Sequence, residues 1–216
     1  LKGDSEPGEV FPNIATLLER NAKQFPDHFV FSELVGDTFE GITWSSFYSN
    51  VKKIAAHLKD SGFKKDSRIM IFSPNSLPML ELEMAVMGMG GVSIPVFAWF
   101  KEATFRTLFL HSDATFLAVG SLQQLKEVDG SLPIEKIISL DNSCSELFKQ
   151  LIPFSDLCRD HTLEGASLDT TLSPETICLN MYTSGTMGVP KGVQLTHRNI
   201  LSQQAALKLR WDINES

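Results

Sequence analysis

Apolar positions along this chain follow two periods, and the places where one gives way to the other mark its elements. Over Ile14–Gln24 they fall at Ile14, Leu17 and Leu18, with Phe25 beyond a polar run. Pro12 and Asn13 are start signals and Pro26 is a stop, which predicts a short helix. Phe29–Val35 and Thr38–Thr43 flank Gly36-Asp37, a pair suited to a two-residue turn, and predict a hairpin. From Phe47 the spacing turns helical. Phe47, Val51, Ile54, Ala55 and Leu58 make one stripe for a core, and Gly62 ends it.

A regular alternation follows. Strand Arg68–Ser73 leads through Pro74-Asn75-Ser76 into a helix carrying Met79, Leu80, Leu82, Glu83, Ala85, Val86 and Met87. Next come strand Val92–Val96, helix Ala103–His111, strand Thr115–Val119, helix Leu122–Val128 and strand Lys136–Leu140. Such repetition predicts an α/β fold, a mostly parallel sheet with flanking helices and right-handed crossovers. Gly88-Met89-Gly90-Gly91 follows a helix and precedes a strand, the reverse of a dinucleotide-binding turn, and is read as a helix stop. Met84–Phe100 lacks charge but is shorter than the roughly 20 apolar residues of a membrane span and is broken by glycines and Pro95. It reads as buried helix, turn and buried strand, with Glu83 and Lys101 marking where that unit surfaces. Between Pro153 and Ser173 no period is visible, and the segment is read as a polar connection.

The densest chemistry lies between the last two strand-like runs, Ile177–Tyr182 and Val193–Leu195. Tyr182-Thr183-Ser184-Gly185-Thr186-Met187-Gly188-Val189-Pro190-Lys191-Gly192 combines four hydroxyls, three glycines and one lysine. Glycines let backbone N–H groups converge on an anion, hydroxyls add donors, and lysine supplies a point charge, so the loop suits phosphate. A Walker loop would place lysine directly after glycine and open a helix; here Lys191 follows Pro190 and precedes a β-branched strand. A ligand-free Gly/Ser turn explains the glycines but not the Pro-Lys order. After Thr196, a candidate N-cap, a helix is expected over Arg198–Leu209.

From Tyr182 through Asn199, including Val193, Thr196 and His197, the segment resembles the phosphate-binding signature of the adenylate-forming enzymes: acyl-CoA synthetases, peptide-synthetase adenylation domains and luciferases. Met187 departs from it, standing where that family has Thr or Ser. Thr43-Trp44 and the entry Lys65-Asp66-Ser67-Arg68 resemble the family's opening more diffusely.

The resemblance implies ATP, Mg2+ and coenzyme A as cofactors and a small-molecule carboxylic acid as substrate. The acid would attack the α-phosphorus of ATP, and a thiol would then displace AMP. Thr183, Ser184, Gly185, Thr186, Gly188 and Lys191 would hold the β- and γ-phosphates. His197 is expected to be structural, and no residue of this stretch is assigned a catalytic role. The family's adenine-binding segment, magnesium-ligating glutamate, ribose-binding aspartate and lid lysine lie downstream of its phosphate loop. Residues 1–216 are therefore expected to be the incomplete N-terminal portion of the fold, inactive alone, with 1–170 a first α/β subdomain and 171–216 the strand-loop-strand-helix of the phosphate site. Phe11-Pro12-Asn13-Ile14 and the hairpin before Thr43-Trp44 are similar to the opening of fatty acyl-CoA ligases. A fatty acyl-AMP ligase, an amino-acid adenylation domain and a noncatalytic nucleotide- or protein-binding module stay open.

Composition narrows the partners. Among 216 residues, 43% hydrophobic and 21% charged, the net charge of −7 offers no basic surface for nucleic acid. Cys144, Cys158 and Cys178 have no metal spacing and read as reduced thiols of a cytoplasmic protein, while the histidines form no helical pair and no metal site is expected. No transmembrane segment is expected; peripheral membrane contact stays open. The aromatic group Phe97, Trp99 and Phe100 is read as core packing rather than an acyl pocket. Strands missing beside Ile177–Tyr182 would leave open edges, so self-association is expected, most simply as a dimer exchanging its last helix.

Overall fold

The computed structural model describes residues 10–143, 151–159, 167–183 and 191–211. Helix α1 (Ile14–Gln24) begins at Asn13, whose Oδ1 accepts the Thr16 N–H at 2.9 Å. β1 (Phe29–Val35) and β2 (Thr38–Thr43) form the expected hairpin, with Val35 opposite Thr38. α2 (Trp44–Asp60) starts where the Thr43 hydroxyl accepts the Ser46 N–H, and all five stripe residues, Phe47, Val51, Ile54, Ala55 and Leu58, are buried.

Then come β3 (Arg68–Phe72), α3 (Leu77–Gly88), β4 (Val92–Val96), α4 (Glu102–Ser112), β5 (Phe116–Val119), α5 (Leu122–Leu125) and β6 (Lys136–Ser139). The glycine cluster ends α3 as expected: Gly90 has φ +78°, a left-handed conformation that closes a helix at low cost only with glycine. α5 is a single turn rather than a helix to Val128. Beyond Leu125 the bonds tighten to a three-residue spacing, Glu127 N–H to Gln124 O and Val128 N–H to Leu125 O.

The chain closes with β7 (Leu151–Pro153), α6 (Phe154–Leu157), β8 (Ile177–Thr183), β9 (Lys191–Thr196) and α7 (His197–Trp211). The connection expected from Pro153 to Ser173 is thus partly wrong, because it opens on the end of a strand and a helical turn. Phe154, Leu157, Leu168 and Leu172 are buried there. Their spacing matches neither period, since each is an isolated anchor in polar sequence, and periodicity is blind to that.

Among the described residues, seven strands form one sheet in the order β7-β6-β5-β3-β4-β8-β9, parallel except for β9, which runs antiparallel to β8. Alternate residues divide its faces. Ile69 and Ile71 enter a core with α1, α2, α3 and α6, while Met70 and Phe72 enter another with α4 and α5. In the second, Phe72 stacks on Phe105 at 4.7 Å between centroids. Burying such a ring contributes roughly 1.5–3 kcal/mol, which is how helices on both faces hold the sheet.

Two expectations fail here. β8 is not an open edge: it pairs with β4 on one side and β9 on the other, so the edge moves out to β9. Glu83 does not mark a surface either. It is 9% exposed, and Glu81 is 3% exposed, because α3 is covered on several sides by α1, α2 and the sheet. Asn50 Nδ2 donates to Glu81 and Ser93 Oγ to Glu83, yet burial outweighs these bonds and holds both carboxyls above the usual carboxylate range.

Candidate functional site

The ladder between β8 and β9 sets the two ends of the glycine- and hydroxyl-rich segment side by side. Thr183, the last residue of β8, is the cross-strand partner of Lys191, the first of β9, and both are exposed. Tyr182 faces Gly192 in the next rung. Of the residues assigned to phosphate from sequence, Thr183 and Lys191 are therefore brought together at the carboxyl end of a parallel strand. Ser184, Gly185, Thr186 and Gly188 lie outside the described residues.

Gly192 is dictated by its neighbour. A Cβ on it would lie 2.8 Å from Asn180 Oδ1 and 3.3 Å from Nδ2, so the Asn180 carboxamide occupies the space that any side chain at 192 would need. Asn180 is 5% exposed, and its carbonyl oxygen has no hydrogen-bond partner among the described residues. Neither feature was read from the sequence; an asparagine inside an apolar strand was the available signal.

The hairpin is braced from both flanks. The Tyr182 hydroxyl and His111 Nδ1 of α4 lie 2.8 Å apart, and burial holds the phenol pKa above its ordinary value. Beyond β9, fully buried His197 accepts the Ile14 N–H on Nδ1 at 3.3 Å, tying the start of α7 to the start of α1. Burial lowers its pKa to about 4, so the ring is neutral and accepts this bond. Asn13 completes the tie, its Nδ2 donating to Thr170 O and Leu172 O.

Beside this hairpin opens a cavity of about 470 Å³ at the carboxyl ends of β3, β4 and β8. Its origin is visible in β4. Ser93 pairs with Leu179, but Pro95 has no N–H with which to carry the ladder on, and past it the walls are Val96 on one strand and Met181 and Tyr182 on the other. The strand order reverses at β3, with β4 on one side and β5 on the other, the kind of place where open α/β sheets bind ligands. The gap between β3 and β5 is closed by Gly120 N–H bonding Phe72 O, so the opening lies on the β4 side.

The reading of the aromatic group as core packing holds for Phe100 and is overturned for Phe97 and Trp99. Phe97 is 54% and Trp99 71% exposed; they stack at 4.7 Å and line the cavity, while Phe100 alone is half-buried against the core. Their loop follows the strand end, where ring exposure depends on what lies across the cleft rather than on local pattern. Cys158 and Cys178 are free thiols, pushed by burial up to about 11 and about 12, and so stay protonated; Cys144 lies outside the described residues. Among the described residues no three His, Cys, Asp or Glu side chains gather as a metal site. No described helix is long and apolar enough to cross a membrane.

The family model described as AMP-binding enzyme matches residues 18–215. The chain belongs to that family. It is 23% identical over 206 residues to a long-chain-fatty-acid–CoA ligase of Mycobacterium tuberculosis, covering 88% of this chain and 32% of that protein. It is 30% identical over 208 residues to 4-hydroxybutyrate–CoA ligase 2 of Metallosphaera sedula, covering 91% and 37%. The acetoacetyl-CoA synthetase structure from Streptomyces lividans shares the fold, with a TM-score of 0.81 at 19% identity over 94% of this chain and 33% of that one. The chain thus spans about a third of the length of these curated relatives, and within the family's fold it supplies a mostly parallel α/β sheet with its flanking helices.

Proposed function

We propose that this chain carries the phosphate-holding part of an ATP-dependent ligase that activates a carboxylic acid as its acyl-adenylate, and that the acid is a fatty acid destined for coenzyme A. The observation that carries the reading is the pairing of Thr183 with Lys191 at the mouth of the β8–β9 hairpin, in a family member whose intervening residues are rich in glycine and hydroxyls. A carboxylate is a poor nucleophile and both reactants are anions. Positioning and charge neutralisation must therefore supply the rate.

In this reading the Lys191 ammonium and the hydroxyls of Thr183, Ser184 and Thr186 hold the β- and γ-phosphates with the backbone N–H groups of Gly185, Thr186 and Gly188. These are the leaving group, so their charge is neutralised as it grows. Glycines at 185 and 188 permit the segment to close on ATP and release pyrophosphate. Magnesium finds no ready-made carboxylate cage among the described residues.

Fatty acid is favoured over amino acid by the cavity next to the hairpin, which no charged side chain lines among the described residues, since an α-ammonium would need a carboxylate partner. Relatives named as fatty-acid–CoA ligases support the same choice. The test is acid-dependent exchange of labelled pyrophosphate into ATP by the full-length protein, compared with a Lys191→Ala variant. Exchange that needs the acid and falls with the variant supports the reading; acid-independent exchange refutes it.

A further inference from the structure

The rung of the hairpin next to Thr183 and Lys191 is held at both of its ends. Tyr182 and Gly192 are cross-strand partners there. At the glycine end the Asn180 carboxamide fills the space over Gly192. At the tyrosine end the ring packs half-buried on the core that α4 shares with the sheet, and its hydroxyl reaches His111 Nδ1 at 2.8 Å. The two rings also meet edge to face, with centroids 5.7 Å apart at 72°. Burial raises the phenol pKa, so the hydroxyl keeps its proton and the bond can form with either member as donor.

His111 is exposed, yet its backbone is anchored. It sits in the last turn of α4, and that end of the helix is fixed by three bonds. Ser112, fully buried, donates from Oγ to Phe109 O at 2.8 Å and accepts the Ala114 N–H on Oγ at 3.2 Å, while Arg68 of β3 donates from Nη1 to Ser112 O at 2.8 Å. Asp113 then leaves the helix in the left-handed conformation at φ +56°, its carboxylate 3.6 Å from the same guanidinium. Contacts thus run from β3 through the end of α4 to Tyr182, the residue that precedes Thr183. A bond between an anchored helix end and a half-buried ring costs less side-chain entropy than one between two loose surface groups.

We infer that His111 is a positioning residue for adenylation: through the Tyr182 hydroxyl it fixes the rung from which Thr183 and Lys191 face the departing pyrophosphate. The inference rests on the proposed adenylation, in which that rung holds the leaving group. His111 itself touches no reactant. Releasing Tyr182 would let the root of the hairpin shift and weaken the Lys191 contact where charge develops, so the loss belongs to kcat.

The test is a double-variant cycle in the full-length protein, read by acid-dependent ATP–pyrophosphate exchange with His111→Ala, Tyr182→Phe and the two combined. Each single variant should lower kcat by about tenfold, the upper worth of one side-chain hydrogen bond. The double variant should lose no more than either, as expected of two groups that act only through each other. KM for the acid, and transfer of preformed acyl-adenylate to coenzyme A, should stay within about twofold of the wild type. His111→Asn, which keeps a polar atom near the place of Nδ1, should recover most of the loss. Losses that multiply in the double variant, an equal loss in thiol transfer, the same loss with asparagine as with alanine, or unchanged exchange in Tyr182→Phe each overturn the inference and leave the adenylation reading standing. A wild type without acid-dependent exchange refutes the adenylation reading itself, and coupling of the pair in urea midpoints would then assign His111 to stability alone.

Discussion

Replacing Gly192 with alanine sets two effects of opposite sign against each other. Gly192 does not occupy the left-handed region, so an added methyl should stabilise by about 0.4–1 kcal/mol through the unfolded chain. The methyl, however, would sit 2.8 Å from Asn180 Oδ1, and Asn180 is 5% exposed with little room to swing away. Overpacking of this kind costs roughly 1–3 kcal/mol, so the clash wins. Gly192→Ala should destabilise by about 1 kcal/mol, or roughly 2–4 °C in Tm for a chain of this size. Asn180→Ala removes the carboxamide and its unpartnered carbonyl, and adding it to Gly192→Ala should restore stability. The coupling expected from urea midpoints at constant m is about 1–3 kcal/mol, within the range for residues in contact. Lys191 adjoins Gly192, so adenylation should fall in the single variant and return in the double. Additive stabilities within about 0.5 kcal/mol would refute the claim that Asn180 dictates the glycine.

Three further outcomes are expected. His197, buried and held at a pKa of about 4 against an ordinary 6.5, favours its neutral form when folded; its stabilisation is whole above pH 6.5 and erodes as pH falls to 4, by roughly 3 kcal/mol in all, and urea titrations of His197→Asn should lack that slope. Glu83 has a raised folded pKa, so its stabilisation is present in acid and lost as pH rises through that value; Glu83→Gln should stabilise at pH 8 and match the wild type at pH 4, and a gain equal at both would rule out desolvation of the charge. The outer edge of β9, exposed over Lys191–Gln194, should make the isolated chain self-associate at micromolar concentration, and a monodisperse monomer by light scattering would show that edge to be protected.

Elements whose burial repeats with a local period were legible from sequence. The stripe Phe47, Val51, Ile54, Ala55 and Leu58 records one buried face of α2, and alternation through Arg68–Ser139 gives the parallel sheet. α3 was legible as a helix but not in its surroundings. Its glutamates look like surface markers until α1, α2 and the sheet close around them. Phe97 and Trp99 were misread for the opposite reason, since an aromatic residue in sequence suggests burial, and here a buried glutamine holds a loop open instead. At the hairpin the motif named Thr183 and Lys191, whereas their direct pairing depends on a ladder register that no composition reveals. Leu168 and Leu172 escaped because single anchors leave no period.

The two half-reactions of the full-length protein separate a phosphate-holding hairpin from a merely structural one. Lys191→Ala should lower acid-dependent ATP–pyrophosphate exchange by on the order of 30- to 1,000-fold, equivalent to roughly 2–4 kcal/mol for one preorganised charge contact. Transfer of preformed acyl-adenylate to coenzyme A should stay within about twofold of the wild type, since pyrophosphate has already left by that step. Equal losses in both half-reactions would contradict the account and leave the β8–β9 hairpin a structural element.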